Sequence, residues 1–193
     1  MGSHKIKRFI ADTWKDYELI DSGEGGKLEK FGGLVLDRPE ASAVWNRGQT
    51  FKEWDKAHAS FESTSKAAGY WKQHGKAPDS WNLEYKSENH PSLRLKFKLE
   101  TTRFKHIGVF PEQASNWEYI AGKVQNGDKL LNLFAYTGGA SLAAKSAGAD
   151  VTHVDAIRQV IDWTRENMEL SGLTGIRWVV EDALKFLRRE VKR

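Results

Sequence analysis

LLNLFAYTGGASLAAKSAGADVTHVDA, residues Leu130 to Ala156, is the stretch whose reading decides the fold. Leu130 to Phe134 is apolar except at Asn132, as a buried strand would be, and runs into the turn Ala135-Tyr136-Thr137-Gly138-Gly139. Glycines there let a backbone approach a ligand that a Cβ would obstruct. Ala140, Leu142, Ala143, Ala144 and Ala147 favour a helix, Gly148 can terminate it, and Val151 to Val154 reads as a second buried strand closed by Asp155. The pattern predicts a βαβ unit. In such units a ligand sits beyond the carboxyl ends of the strands, where a closing acid can accept hydrogen bonds from ribose hydroxyls. A dinucleotide fold would show G-x-G-x-x-G, with a helix N-terminus aimed at a pyrophosphate. Only the adjacent pair Gly138 and Gly139 stands here, so a nicotinamide-dependent oxidoreductase is disfavoured.

The alternation continues downstream. Ile157, Val160, Ile161, Thr164 and Met168 form one stripe of a helix predicted over Ile157 to Leu170, ending near Gly172. A third strand is predicted at Ile176 to Val180, then Asp182, then a helix over Ala183 to Val191. Upstream, Phe110, Glu112 and Gln113 stand just before a helical pattern carrying Trp117, Ile120 and Val124.

Three blocks in this order, F-K-H-I-G-V-F-P-E-Q (104 to 113), N-L-F-A-Y-T-G-G (132 to 139) with V-T-H-V-D-A (151 to 156), and V-V-E-D-A-L-K-F (179 to 186), resemble the class I S-adenosylmethionine-dependent methyltransferases. More narrowly, they are similar to the branch that contains the ribosomal RNA large-subunit methyltransferases. The resemblance covers about the second half of the chain. It implies an α/β, Rossmann-like class I methyltransferase fold, S-adenosyl-L-methionine as cofactor and RNA as the leading substrate.

The resemblance also implies roles. The turn with Asn132, Tyr136, Thr137, Gly138 and Gly139 would surround the methionine part of the cofactor, although Asn132 and Tyr136 could equally bond local backbone or pack. Asp155, with Ala156 after it, would take the ribose; an unpaired buried acid at that strand end would otherwise be costly. Asp182, followed by Ala183, would lie beside the adenine amino group, a place compatible with a helix N-cap. Phe110, Glu112 and Gln113 are either cofactor contacts or residues suited to a helix start. No catalytic residue is assigned. The resemblance further implies a seven-stranded sheet with an Asp-Pro-Pro-type motif after its fourth strand, beyond Arg193, so the chain is expected to be an incomplete methyltransferase without turnover of its own. The fourth strand would lie beside the first, leaving 130 to 134 as an apolar edge to be covered by a continuation of the chain, by the N-terminal domain or by a second copy in a homo-oligomer.

The first half has a different character. Residues 1–90 read as a small, mostly β domain and 91–193 as the N-terminal part of the cofactor-binding domain. Short strands are expected at Tyr17 to Ile20, Leu28 to Phe31 and Leu34 to Leu36, between glycine turns, and Gln73 to Ser92 reads as a loop-rich connection. Trp45, Trp54, Trp71 and Trp81 are core or interface anchors, or else platforms for bases.

Composition sets outer bounds. The 193 residues are 39% hydrophobic, enough for a core, and carry a net charge of +4 from 30 Lys and Arg against 26 acids. That is compatible with a nucleic-acid partner without demanding one. Basic clusters stand at Lys5, Lys7 and Arg8, at Arg94 to Lys105 and at Lys185 to Arg193, and Arg94, Lys96 and Lys98 alternate with Leu95, Phe97 and Leu99 as one strand with a cationic face. Cysteine is absent, which removes thiolate chemistry from these residues, and a nitrogen or oxygen acceptor needs mainly positioning. No eighteen-residue apolar run exists, so no membrane span is expected and a cytoplasmic setting fits. His106 and His153 lack companions at metal spacing, so no metal is expected. A noncatalytic nucleic-acid-binding module, and a methyltransferase of small molecules or proteins, are the alternative readings.

Overall fold

The computed structural model describes residues 14–48, 51–65 and 68–192; Lys5, Lys7, Arg8 and Arg193 lie outside these. Alternating apolar residues around tight turns build the first half. Strands β1 (Tyr17–Gly23), β2 (Gly26–Phe31) and β3 (Leu34–Pro39) form an antiparallel meander, helix α1 (Phe51–Trp54) follows, and β4 (Ala59–Ser63) and β5 (Gly69–Gln73) complete a sheet of order β1-β2-β3-β4-β5. The β1–β2 turn has Glu24 and Gly25 both at positive φ, the twist that matches a tight hairpin. Phe31 and Leu36 are fully buried in the main core, and Leu28 is fully buried in a smaller cluster with Trp54 and Ala57.

The next hairpin corrects the expected loop at Gln73 to Ser92. β6 (Ser80–Lys86) pairs antiparallel with β7 (Arg94–Glu100). Trp81, Leu83 and Tyr85 alternate with polar neighbours at period two, a strand signal masked by the punctuation of Gly75, Pro78 and Pro91. The turn of this hairpin contains residue 90, and one apolar core continues across it. Phe31 and Leu36 share that core with Tyr85, Phe97, Trp117, Leu142 and Val151. Trp14, Tyr85 and Phe97 pack around Trp117 at ring-centroid distances of 5.4, 5.5 and 5.1 Å. Trp54 is buried and Trp71 and Trp81 pack against the core, whereas Trp45 is exposed.

The second half is α/β. A 3₁₀ turn (Pro111–Gln113) leads into α2 (Ala114–Lys123), then β8 (Lys129–Asn132), α3 (Gly139–Ser146), β9 (Asp150–Asp155), α4 (Arg158–Leu170), β10 (Arg177–Val180) and α5 (Ala183–Glu190). The strands form a parallel sheet of order β10-β9-β8, the Rossmann-like arrangement preceded by a β-rich half. β8 ends at Asn132, two residues before the expected end, and Phe134 stands 88% exposed in the bend beyond it. Ile157 is the exposed N-cap of α4 rather than a member of its buried stripe.

Two sheet edges differ. β8 pairs with β9 on one side and, among the described residues, with nothing on the other; the N-terminal sheet does not cover it. The outer edge of β7 is instead taken by α4: the Lys98 amide donates to Asn167 Oδ1 (2.8 Å), Trp163 Nε1 donates to the Lys98 carbonyl (2.8 Å), and the Lys96 amide donates to Ser171 Oγ (2.9 Å) just beyond the helix. The cations of β7 meet acids. Lys98 pairs with Glu100 and Glu166, and Arg94 with Glu84 across the hairpin. Among the described residues no helix is long and apolar enough to cross a membrane, and no group of three His, Cys, Asp or Glu is placed to hold a metal.

Candidate functional site

At the carboxyl end of β8 a cleft of about 360 Å³ is lined by Phe110, Glu112, Gln113, Asn132, Tyr136, Thr137 and Gly139, together with Phe97, Trp117, Phe134 and Ala140. Residues more than twenty positions apart in sequence thus share one wall. The turn that forms its floor is clamped from several elements. Thr164 Oγ1 donates to the Tyr136 carbonyl (2.8 Å), Asn167 Nδ2 to the Thr137 carbonyl (2.9 Å), and Thr137 Oγ1 to the Gly108 carbonyl. Tyr136 itself has φ of 47°, a left-handed conformation that costs a non-glycine residue roughly 1–2 kcal/mol. Its amide is held by Asp155 Oδ2 (3.1 Å) and its ring by Phe110 (centroids 5.0 Å apart). Strain kept in place by so many bonds marks a preorganised surface.

The glycines answer to packing inside the protein as well as to the turn. A Cβ on Gly139 would lie 2.6 Å from the Trp117 ring, and one on Gly138, at φ of 97°, would strike Thr164. The pressure of α2 and α4 against the turn is by itself a reason for glycine at both positions, and Gly139 also lines the cleft.

Asp155 and Asp182 close adjacent strands and do not line the cleft itself. The Asp155 carboxylate is not unpaired: Oδ2 accepts from the Tyr136 amide and Oδ1 from the Ile157 amide (2.9 Å), so the acid ties the β8 turn to the end of β9. Each oxygen keeps a further lone pair. Asp182 is exposed and caps α5, accepting from the Lys185 amide (2.9 Å), and the Glu181 amide joins the two strand ends through the Asp155 carbonyl. Ala156 is exposed beside Asp155, and Ala183 opens α5. Two residues that sequence reasoning did not assign to the site, Ile157 and Leu184, follow these acids and are 55% and 63% exposed. Their signal was available: each is a large apolar residue two positions after one of the acids.

Asn132 uses its amide locally. Nδ2 donates to Ser141 Oγ (3.0 Å), Oδ1 accepts from the Phe134 amide (3.3 Å), and Ser141 Oγ in turn meets His153 Nδ1 (3.1 Å). His153 is fully buried, and burial pushes its pKa down to about 4 against a smaller opposing pull from Asp155. Burial pushes the Tyr136 phenol up to about 12, so it stays a neutral hydroxyl. His106, whose ring centroid lies 5.1 Å from that of Phe110, is held below the usual histidine range by burial first and then by Lys105, Arg38 and Lys27. Arg38 is itself buried against Glu29 (2.6 Å), and Tyr17 donates to the same carboxylate (3.0 Å).

Residues 59–186 match the S-adenosylmethionine-dependent methyltransferase family. The chain belongs to that family. A solved S-adenosylmethionine-dependent methyltransferase from Agrobacterium tumefaciens is 42% identical, superposes with a TM-score of 0.81, and is covered over 56% of its length by 92% of this chain. Ribosomal RNA large subunit methyltransferase K/L of Shewanella frigidimarina is 36% identical over 96 residues, and that of Shewanella amazonensis 38% over 95; each match covers 48% of this chain and 13% of the relative. The family's cofactor is S-adenosylmethionine, and the residues gathered at the strand ends have the chemistry to hold it. Glu112, Gln113 and Asn132 offer polar groups suited to an amino acid moiety, Asp155 offers acceptors to hydroxyls, and Ile157 and Leu184 offer apolar faces to a base.

Proposed function

We propose that this chain binds S-adenosylmethionine across the carboxyl ends of β8, β9 and β10 and serves methyl transfer to RNA. The observation that carries the reading is the donor set: Glu112, Gln113 and Asn132 lining one cleft, and the acid ending β9 bonded both to the Tyr136 amide of that cleft and to the amide of exposed Ile157. The cofactor supplies an activated methyl group on a sulfonium. Glu112 and Gln113 face the methionine end, with Asn132 shaping the turn opposite them. Asp155 accepts from the ribose hydroxyls through the lone pairs that its backbone bonds leave free. Asp182 and Ala183 border the adenine, with Ile157 and Leu184 against its faces. Phe110 and the neutral Tyr136 wall the reacting end, which orients an acceptor and keeps water out.

RNA is the acceptor class favoured by the likeness to the Shewanella ribosomal RNA methyltransferases together with the net charge of +4. The likeness to bacterial ribosomal RNA methyltransferases favours a cytoplasmic setting. The alternative of a noncatalytic nucleic-acid module loses support in β7, where Arg94 is engaged by Glu84 and Lys98 by Glu100 and Glu166. Calorimetric titration with S-adenosylhomocysteine and with NAD is the test: binding of the first alone is expected, and binding of neither, or of NAD alone, overturns the reading. Incorporation of radiolabelled methyl into RNA, against protein and small-molecule acceptors, tests the substrate class.

A further inference from the structure

A second groove, of about 180 Å³, opens on the N-terminal side of the cleft, lined by Phe61, Ser63, Ser65, Phe104, Lys105 and His106. It is smaller than the roughly 300 Å³ at which small-molecule pockets begin, and so suits one planar group and its linkage rather than a whole cofactor. His106 belongs to this groove, and its ring packs on Phe110, which lines the cleft and packs on Tyr136. One row of rings therefore leads from the groove to the reacting end of the cleft.

Phe104 is 50% exposed, and its backbone is held in place. Its amide donates to Thr102 Oγ1 (3.1 Å), and that hydroxyl also lies within reach of the His106 carbonyl (3.3 Å), closing a turn over 102–106. The turn is tied to the sheet by the Gly69 amide, which donates to the Arg103 carbonyl (3.1 Å). Arg103 is exposed on the same turn, and Lys105 reaches the Pro39 carbonyl (3.3 Å). Rigid exposed rings beside cations and hydroxyls meet the two demands of a single nucleic-acid strand, stacking for its bases and positive charge for its phosphates.

We propose that this groove seats the single-stranded RNA flanking the methylated nucleotide, with Phe104 and His106 stacking on bases and Arg103 and Lys105 answering phosphates. The proposal rests on the reading that RNA is the acceptor of the neighbouring cleft. Double-stranded RNA does not fit, because its bases are already stacked on one another.

Fluorescence anisotropy with a short labelled oligouridylate, alone and annealed to its complement, tests this. The single strand is expected to bind better than the duplex. Phe104→Ala and His106→Ala are each expected to weaken it by about tenfold, the scale of one lost stack between a base and a ring. Phe104→Trp should keep the affinity. Polyaspartate, which carries negative charge without bases, should displace the oligonucleotide poorly. Unchanged affinity in both alanine variants, equal displacement by polyaspartate, or no oligonucleotide binding at all overturns the proposal. Calorimetry with S-adenosylhomocysteine on the same samples separates the two readings. Retained cofactor affinity in the alanine variants shows that they are folded, and its absence in the unaltered protein would overturn the proposed function instead.

Discussion

Asp155 bonds two backbone amides and Asp182 caps a helix, so their removal should be felt differently. Asp155→Ala is expected to weaken S-adenosylmethionine binding more than Asp182→Ala does, by roughly 1.5–3 kcal/mol for each charge-assisted bond lost to ribose. Calorimetric titration checks it, and equal affinities in both folded variants would contradict the ribose assignment. Asp182→Ala should appear mainly as lost stability, about 0.5–2 kcal/mol, through the Lys185 amide that it strands. His153 makes a pH prediction. Its pKa falls from an ordinary 6.5 in the unfolded chain to about 4 in the fold. Above the upper value both states are neutral and pH has no effect through this residue. Between the two values the unfolded chain binds the proton and the folded one does not, so stability is lost as pH drops. Urea unfolding should show a loss of roughly 2 kcal/mol between pH 7 and 5 from this group, and His153→Gln should flatten that slope.

The elements legible in the sequence were those whose signals are local. The alternation at 94–99, the small-residue helix after Gly139 and the strand closed by Asp155 stand as read, because period and turn chemistry suffice to specify them. What was illegible depends on contacts between elements. Asn167, a polar residue outside the apolar stripe read for α4, is fully buried and joins Lys98 to Thr137, and Gly138 and Gly139 are packed against Thr164 and Trp117. No spacing rule reveals a partner more than twenty positions away. The edge of β8 was legible as a liability, and among the described residues it has no strand beside it. Its exposed Leu131 and open backbone groups should recruit a strand from a second copy. Sedimentation should detect association that rises with concentration, and Leu131→Lys should suppress it; a strictly monomeric protein at high concentration would refute this.

At the scale of the molecule, the two halves share the core that runs from Phe31 and Leu36 through Tyr85 and Phe97 to Trp117 and Val151. Burying that much apolar surface jointly should couple them into one cooperative unit. Tryptophan fluorescence and far-ultraviolet circular dichroism are therefore expected to give coincident denaturation curves, and a resolved plateau would show that the halves unfold separately. The side chains that α4 and Ser171 set against the free edge of β7 act as a surrogate strand, and this has a kinetic corollary. Proton exchange with solvent requires an amide to be released from its acceptor. The Lys96 and Lys98 amides, at the border of a sheet of only two strands, should therefore exchange with deuterium as slowly as amides in the interior of the five-stranded sheet. The outward amides of β8, in the thicker α/β half, should be labelled within the first time points. The molecule's slowest and fastest sheet borders would then be the reverse of what sheet size alone suggests.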